Sequence, residues 1–185
     1  MASLMVVTLP RLSPDALSEI LLEHSTSNLD VSTPPPHIAI IDVRDDDHIG
    51  GHIKHSTHVP SRSLDGKVPD LVQTLKDKKV VVFHCALSQE RGPRAALKYI
   101  RERERQLKTG SLGEKSVGEV LKKNTDVEAD KERKGEGEWE DVDGGKGQEV
   151  YVLDRGFVGW QEKYGEDMKL TEGYRKEIWK EGYWM

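Results

Sequence analysis

Apolar residues along this chain fall into short unbroken runs and spaced stripes, and the two kinds alternate. The unbroken runs predict strands: Met5 to Leu9, Ile38 to Val43, whose continuous apolar run is expected when both faces are covered, and Val80 to His84. Thr57 to Val59 predicts a further short strand. The stripes predict helices. Ser13-Pro14-Asp15 reads as a helix start, with Ser as the cap and Pro in the first turn. Leu17, Ile20, Leu21 and His24 follow it at helical spacing. Val68, Leu71, Val72 and Leu75 share one face of a helix over Asp65 to Lys76. Gly92 and Pro93 open another that runs from Arg94 to about Gln106, with Pro93 at the first helical position. Pro34-Pro35-Pro36 reads as a stiff connector into the next strand. Strands alternating with helices predict an α/β fold with a parallel sheet and right-handed crossovers. At 185 residues a single domain is the expectation.

The pattern breaks from 107 to 149. Charge and Gly dominate there, and the apolar residues are chiefly Leu112, Val117, Val120, Leu121 and Trp139. Such a segment cannot bury enough surface to offset its ordering entropy, so it reads as a flexible surface insertion. Residues 106 to 149 hold 8 Lys and Arg against 12 Asp and Glu, so most of the chain's net charge of −5 belongs here. The pattern resumes towards the C-terminus. Residues 166 to 185, with Tyr174, Ile178 and later aromatics, read as a helical tail packed on the domain, limited by Gly182.

Composition narrows the field. Hydrophobic residues are 35% and charged residues 33%, and no basic patch is interleaved with aromatics, so nucleic acid is not an expected partner. No apolar stretch approaches a membrane span, and Leu4 to Leu9 is too short for a signal peptide. With one Cys an intrachain disulfide is impossible, and a lone Cys after a strand suits a reducing compartment, cytoplasmic or nuclear.

That Cys carries the chemistry. Cys85 ends a buried strand and begins a loop that feeds a helix, and five residues separate it from Arg91. Ligands of open α/β sheets bind at that edge. A helix N-terminus there offers unpaired N–H groups to an anion and favours a thiol in its nucleophilic thiolate form. Cys85 is therefore the expected nucleophile and Arg91 the expected bidentate clamp on a phosphate-like group. The N–H groups of Ala86, Leu87, Ser88, Gln89, Glu90 and Arg91 can converge on the same anion. Ser88 can also donate its hydroxyl to the sulfur. The alternative, an inert buried thiol, leaves the adjacent Arg and Gly-Pro helix start without a purpose.

The run His84-Cys85-x5-Arg91, and the fuller pattern HCxxSxxRGP, resemble the loop of the rhodanese-fold dual-specificity phosphatases of the cell-cycle type and of the eukaryotic arsenate reductases. Ile38 to Ser61, IAIIDVRDDDHIGGHIKHSTHVPS, resembles the rhodanese strand, Asp-x-Arg, acidic turn, Gly-His-Ile and His-x-Pro. Val150 to Gln161, VYVLDRGFVGWQ, resembles the last rhodanese strand and the helix start after it. One departure is Asp154-Arg155-Gly156, where the family usually has a second small residue. The resemblance implies a single rhodanese-like domain over 5 to 165, a central parallel five-stranded sheet with helices on both faces. It also implies that sulfur-transferring rhodaneses have a loop one residue shorter, so the longer loop here fits a tetrahedral oxyanion.

The activity so implied is a Cys-dependent phosphatase. It would act on a phosphoprotein (tyrosine or dual-specificity) or a small phosphoester through a cysteinyl-phosphate intermediate. The alternative is an arsenate reductase that takes glutathione as external reductant, since there is no second Cys. A thiosulfate-type sulfurtransferase and a non-catalytic rhodanese-like binding module are further alternatives. No cofactor is otherwise expected. Glu90 resembles the carboxyl that cell-cycle phosphatases carry beside the Arg, and is the candidate general acid. Asp42 and Arg44 lie at the same sheet edge, where a structural ion pair is the favoured reading over catalysis. His84 is expected to organise the loop and point back into the sheet. His48, His52, His55 and His58 resemble a metal cluster, but two of these positions belong to turns in the rhodanese pattern, so no metal is expected.

Overall fold

A computed structural model describes residues 9–27, 33–112 and 147–180. The strand expected over Met5 to Leu9, apart from Leu9, lies outside them, as do most of the expected insertion and residues 181–185. The described edge strand is instead β1, Arg11–Leu12. Helix α1, Pro14–Ser27, follows, and Ser13 caps it as expected, its Oγ accepting the Ala16 N–H at 3.1 Å. Then come β2 (Ile38–Asp42), β3 (His52–Ile53), β4 (Ser56–His58), a 3-10 turn at Ser61–Ser63 and α2 (Leu64–Thr74). β5 (Val80–His84) leads through the Cys85 loop into α3 (Arg91–Lys108). The described chain closes with β6 (Glu149–Leu153), α4 (Gly156–Tyr164), β7 (Thr171–Glu172) and α5 (Lys176–Lys180).

The main sheet has the order β1-β6-β5-β2-β4, and all its pairings are parallel. Alternate residues of each strand serve opposite cores. Ile41, Val81, Phe83 and Val152 face one core with Val68 and Val72 of α2 and Ala95, Ala96 and Tyr99 of α3. Ile38, Ile40, Val82 and Leu153 face the other with Leu17 and Leu21 of α1 and Phe157 and Trp160 of α4. Helices therefore cover both faces, which is why the strands read as unbroken apolar runs. Each fully buried large side chain contributes roughly 1.5–3 kcal/mol, so the central strands are the most firmly held part of the fold.

Two local readings change. α3 begins at Arg91, ahead of the expected Arg94, so Pro93 is its third residue. The first four helical N–H groups have no intrahelical partner, so a proline there removes no bond. The short β3 and β7 form a separate antiparallel pair, His52 to Glu172 and Ile53 to Thr171. Through it the segment after α4 folds back over the turn that follows β2. Trp179 Nε1 donates to Gly50 O at 2.8 Å and its ring lies 5.5 Å from that of Phe157. Gly50 and Gly51 both have positive φ, and a Cβ on Gly50 would stand 2.7 Å from Trp179 Nε1, so glycine is required at this crossing.

Candidate active site

The Cys85 loop is built from three sides. β5 ends at His84, where the parallel register with β2 places His84 opposite Asp42. Cys85 follows, with 3% of its surface exposed. The Ser88 N–H donates to Cys85 Sγ at 3.2 Å, and the Cys85 N–H reaches back to Ser88 Oγ at 3.4 Å. Ser88 manages this by taking a left-handed φ of 53°, an unusual conformation for a residue with a side chain. α3 supports the loop closely: a Cβ on Gly92 would lie 3.3 Å from Ser88 Oγ. On the other side the start of α4 holds the loop backbone. Phe157 N–H donates to Cys85 O and Val158 N–H to Ala86 O, both at 2.9 Å. Those donors are helix-terminal N–H groups that lack intrahelical partners.

The departure noted at Asp154-Arg155-Gly156 has a structural explanation. Arg155 and Gly156 are both left-handed, with φ of 56° and 55°. A Cβ on Gly156 would stand 2.5 Å from both Cys85 O and Ala86 O, so this glycine is what lets α4 approach the loop. Arg155 tolerates its conformation at a cost and pairs with Glu162 at 2.8 Å. A third contact comes from β1, where Arg11 Nη2 donates to Ser88 O at 3.3 Å.

Among the loop side chains, Ala86 and Ser88 are buried, while Leu87, Gln89 and Glu90 are exposed. Glu90 stands at the cap position of α3 without a side-chain capping bond. Arg91 is half-buried and turns to the segment after β2. Its Nη1 donates to Asp47 Oδ1 at 2.7 Å and to Asp45 Oδ2 at 3.2 Å, and its Nη2 donates to Asp47 Oδ2 at 2.5 Å. The Asp47 hydrogen bonds raise the Arg91 pKa against the opposing effect of burial, and the charges of Asp47 and Cys85 add to the rise. The same hydrogen bond from Arg91 lowers the Asp47 pKa.

Beneath the loop lies a sealed pair. The side chains of Asp42 and Arg44 are fully buried, and Arg44 Nη2 donates to Asp42 Oδ2 at 2.6 Å and to Gly51 O at 2.9 Å. The guanidinium rests 4.2 Å from the centre of the Phe157 ring. Burial would raise the Asp42 carboxyl, but the pull of His84 and Arg44 and the hydrogen bonds from Arg44 bring it to about 2. His84 is fully buried, with Nδ1 3.3 Å from Cys85 O and Nε2 3.8 Å from Asp42 Oδ2. Burial lowers its pKa, against the pull of Asp42. His48 stacks on both His52 and His58, with the His48 and His58 ring centres 3.8 Å apart. His58 Nε2 meets Arg44 O at 2.7 Å, His52 Nε2 meets Glu172 Oε2 at 3.2 Å and His48 Nε2 lies 3.5 Å from Asp42 Oδ2, so all three are engaged in local contacts. Among the described residues no group of three His, Cys, Asp or Glu has the geometry of a metal site.

Sequence reasoning brought Cys85, Ser88, Arg91, His84, Asp42 and Arg44 to one sheet edge; the structure joins Ser88 to Cys85 and joins Asp42 to His84 and Arg44, while Arg91 turns to Asp45 and Asp47. It passed over Asp45, Asp47 and Arg11. The run of three Asp directly after Arg44 was the visible signal for the first two.

The chain matches the model of the family described as Rhodanese-like domain over residues 27–163. A 66-residue stretch, 35% of the chain, is 54% identical to a dual specificity phosphatase Cdc25 of Arabidopsis thaliana and 47% identical to arsenate reductase 2.2 of Oryza sativa. That match spans about half of those relatives, 45% and 51% of their lengths. The dual specificity phosphatase ibp1 of Schizosaccharomyces pombe is 32% identical over 165 residues, covering 89% of this chain and 97% of its own. Among solved structures, the yeast protein tyrosine phosphatase Ygr203w of the rhodanese family superposes with a TM-score of 0.59 at 25% identity, covering 92% of this chain and 96% of its own. The As-Sb reductase of Leishmania major superposes with a TM-score of 0.54 at 25% identity, covering 87% and 82%.

Proposed function

The chain belongs to the rhodanese-like domain family, and from that membership we propose that it is a Cys-dependent phosphatase acting on a phosphoprotein or a small phosphoester. The observation that carries this reading is the Cys85 loop, where a thiol sits at the sheet edge with the Ser88 N–H on its sulfur and an arginine follows after five intervening residues. In this reading Cys85 Sγ attacks phosphorus and the P–O bond to the leaving group breaks, giving a cysteinyl phosphate. The loop N–H groups, the start of α3 and Arg91 stabilise the equatorial oxygens. Water then cleaves the S–P bond and releases inorganic phosphate. Glu90, exposed at the mouth of the loop, is the local carboxyl that can donate to the leaving oxygen. His84, Asp42 and Arg44 take no chemical part; they hold the strand ends from which the loop springs. Asp42 in particular is sealed and ionised, which suits a structural role and not proton transfer.

A second reading, arsenate reduction, is favoured by relatives named for it on both the sequence and the structure side. Cys85 would bond to arsenic with loss of water; glutathione would then attack Cys85 Sγ, breaking the S–As bond to release arsenite and leave a mixed disulfide that a second glutathione reduces, because the chain has one Cys. The same lone thiol suits a reducing compartment, the cytoplasm or nucleus.

The test is turnover of an aryl phosphate and of arsenate with glutathione, side by side, by the wild type and by Cys85→Ser. Release of phosphate by the wild type, lost in the variant, is the expected result. Arsenate turnover that far exceeds phosphate release would move the assignment to the second reading. Residual turnover above about a tenth in the variant would remove Cys85 as nucleophile.

A further inference from the structure

Arg91 is the side chain expected to grip the oxyanion, so whatever fixes its guanidinium also fixes the site. A guanidinium presents its donors along distinct edges of a rigid plane. The end edge, Nη1 and Nη2, is filled by Asp47, with Asp45 as an additional acceptor to Nη1. Among the described residues Nε has no acceptor, so the side edge of Nε and Nη2 remains open for a second fork.

The two carboxylates are held in place by groups other than the arginine. Asp45 accepts from Ser61 Oγ at 2.6 Å and from the Arg62 N–H at 3.1 Å. Asp47 Oδ1 accepts from the Asp45 N–H at 2.9 Å, and the His48 N–H closes the turn on Asp45 O at 3.1 Å. Their side chains are only 13% and 20% exposed, so the receptor is rigid and largely shielded from solvent. It is a preformed socket into which Arg91 plugs.

The geometry points to Asp47, steadied by Asp45, as a positioning residue that holds Arg91 by its end edge and turns the side edge to two oxygens of the substrate oxyanion. This inference rests on the oxyanion-processing reading above and deepens it. The rival arrangement is a latch in which the carboxylates occupy Arg91 in place of substrate. The two differ in sign. Removing a negative charge beside an anion site would by itself tighten anion binding. A weakening therefore reports lost geometry and nothing else.

The experiment titrates inorganic phosphate into wild type, Asp47→Asn and Asp47→Glu by calorimetry at fixed ionic strength, with aryl phosphate kinetics and thermal melting on the same samples. The expected result is about tenfold weaker phosphate binding and a lower kcat in Asp47→Asn, with Asp47→Glu restoring both to within about threefold. Tighter phosphate binding in Asp47→Asn overturns the proposal and makes the turn a competitor. Unchanged phosphate affinity with only a lowered melting temperature also overturns it, leaving a structural contact. A wild type that binds phosphate yet turns over neither aryl phosphate nor arsenate defeats the functional reading alone, since the titration still reports how Arg91 is held.

Discussion

Two arginines near the Cys85 loop are each gripped by aspartates of one short segment, and the two pairs differ in what they leave over. Arg44 and Asp42 are fully buried, and Arg44 spends its donors on Asp42 and on the backbone carbonyls of Ile49 and Gly51. Arg91 is 32% exposed, and its partners Asp47 and Asp45 are fixed from the turn after β2. Chemically these are the same ion pair. Their surroundings make one a strut and the other a mount. Breaking a sealed pair strands a charge in a medium that cannot solvate it, whereas water takes over for an open one.

The largest expected effect tests the strut. Asp42→Asn leaves Arg44 buried without its counter-charge and should cost on the order of 3–5 kcal/mol in urea unfolding. Asp47→Asn should cost less than about 1 kcal/mol in the same measurement. Equal losses would erase the distinction between the pairs.

Next is the mount. Arg91→Lys keeps the charge but loses the fork, so aryl phosphate turnover should fall about a hundredfold, with little change in melting temperature. Near-normal kinetics would mean that the loop N–H groups hold the anion without it.

Acid tests the sealed pair by a different route. The Asp42 carboxyl is held at about 2 in the folded chain against 3.8 for the ordinary group. A depressed carboxylate stabilises the fold above its unfolded value, so on the order of 2 kcal/mol should be lost as pH falls from near 4 to near 2. His48, which burial lowers to about 4 from 6.5, adds a loss of the same sign between those two values, because only the unfolded chain takes up the proton there. Urea midpoints across pH 2 to 7 check both, and His48→Gln should flatten only the upper window.

The smallest effect belongs to a third arginine. Arg11 touches Ser88 O and Asp154 from the sheet edge with its side chain 45% exposed. Arg11→Ala should change stability by less than about 1 kcal/mol and turnover by only a few-fold. A loss as large as that of Arg91→Lys would make this edge contact part of the anion grip.

What was legible in the sequence follows from how far apart the interacting groups are. Ile38 to Asp42 and Val80 to His84 read as strands because both faces are covered and no polar alternation interrupts them. Cys85 and Arg91 read as a site because their spacing is local and the strand before and helix after fix their common edge. The grip of Asp47 on Arg91 joins residues separated by 44 positions, and no periodicity encodes it. β3 and β7 have two residues each, too few to show any period. The left-handed Arg155 defied residue preference altogether, since the approach of α4 to the loop decides its conformation.

The place of β6 in the sheet has a consequence for biosynthesis. β6 lies between β1 and β5, so Arg11–Leu12 and Val80–Phe83 have no contact through the sheet until Glu149–Leu153 has been made. The amides that clasp Cys85 O and Ala86 O come later still, from Phe157 and Val158. A chain leaving the ribosome therefore carries an open β5 edge, a place where another strand can pair wrongly. Its thiol is translated long before the clasp that shapes the loop around it, so nascent and truncated chains that stop short of α4 carry the Cys85 thiol without the finished loop.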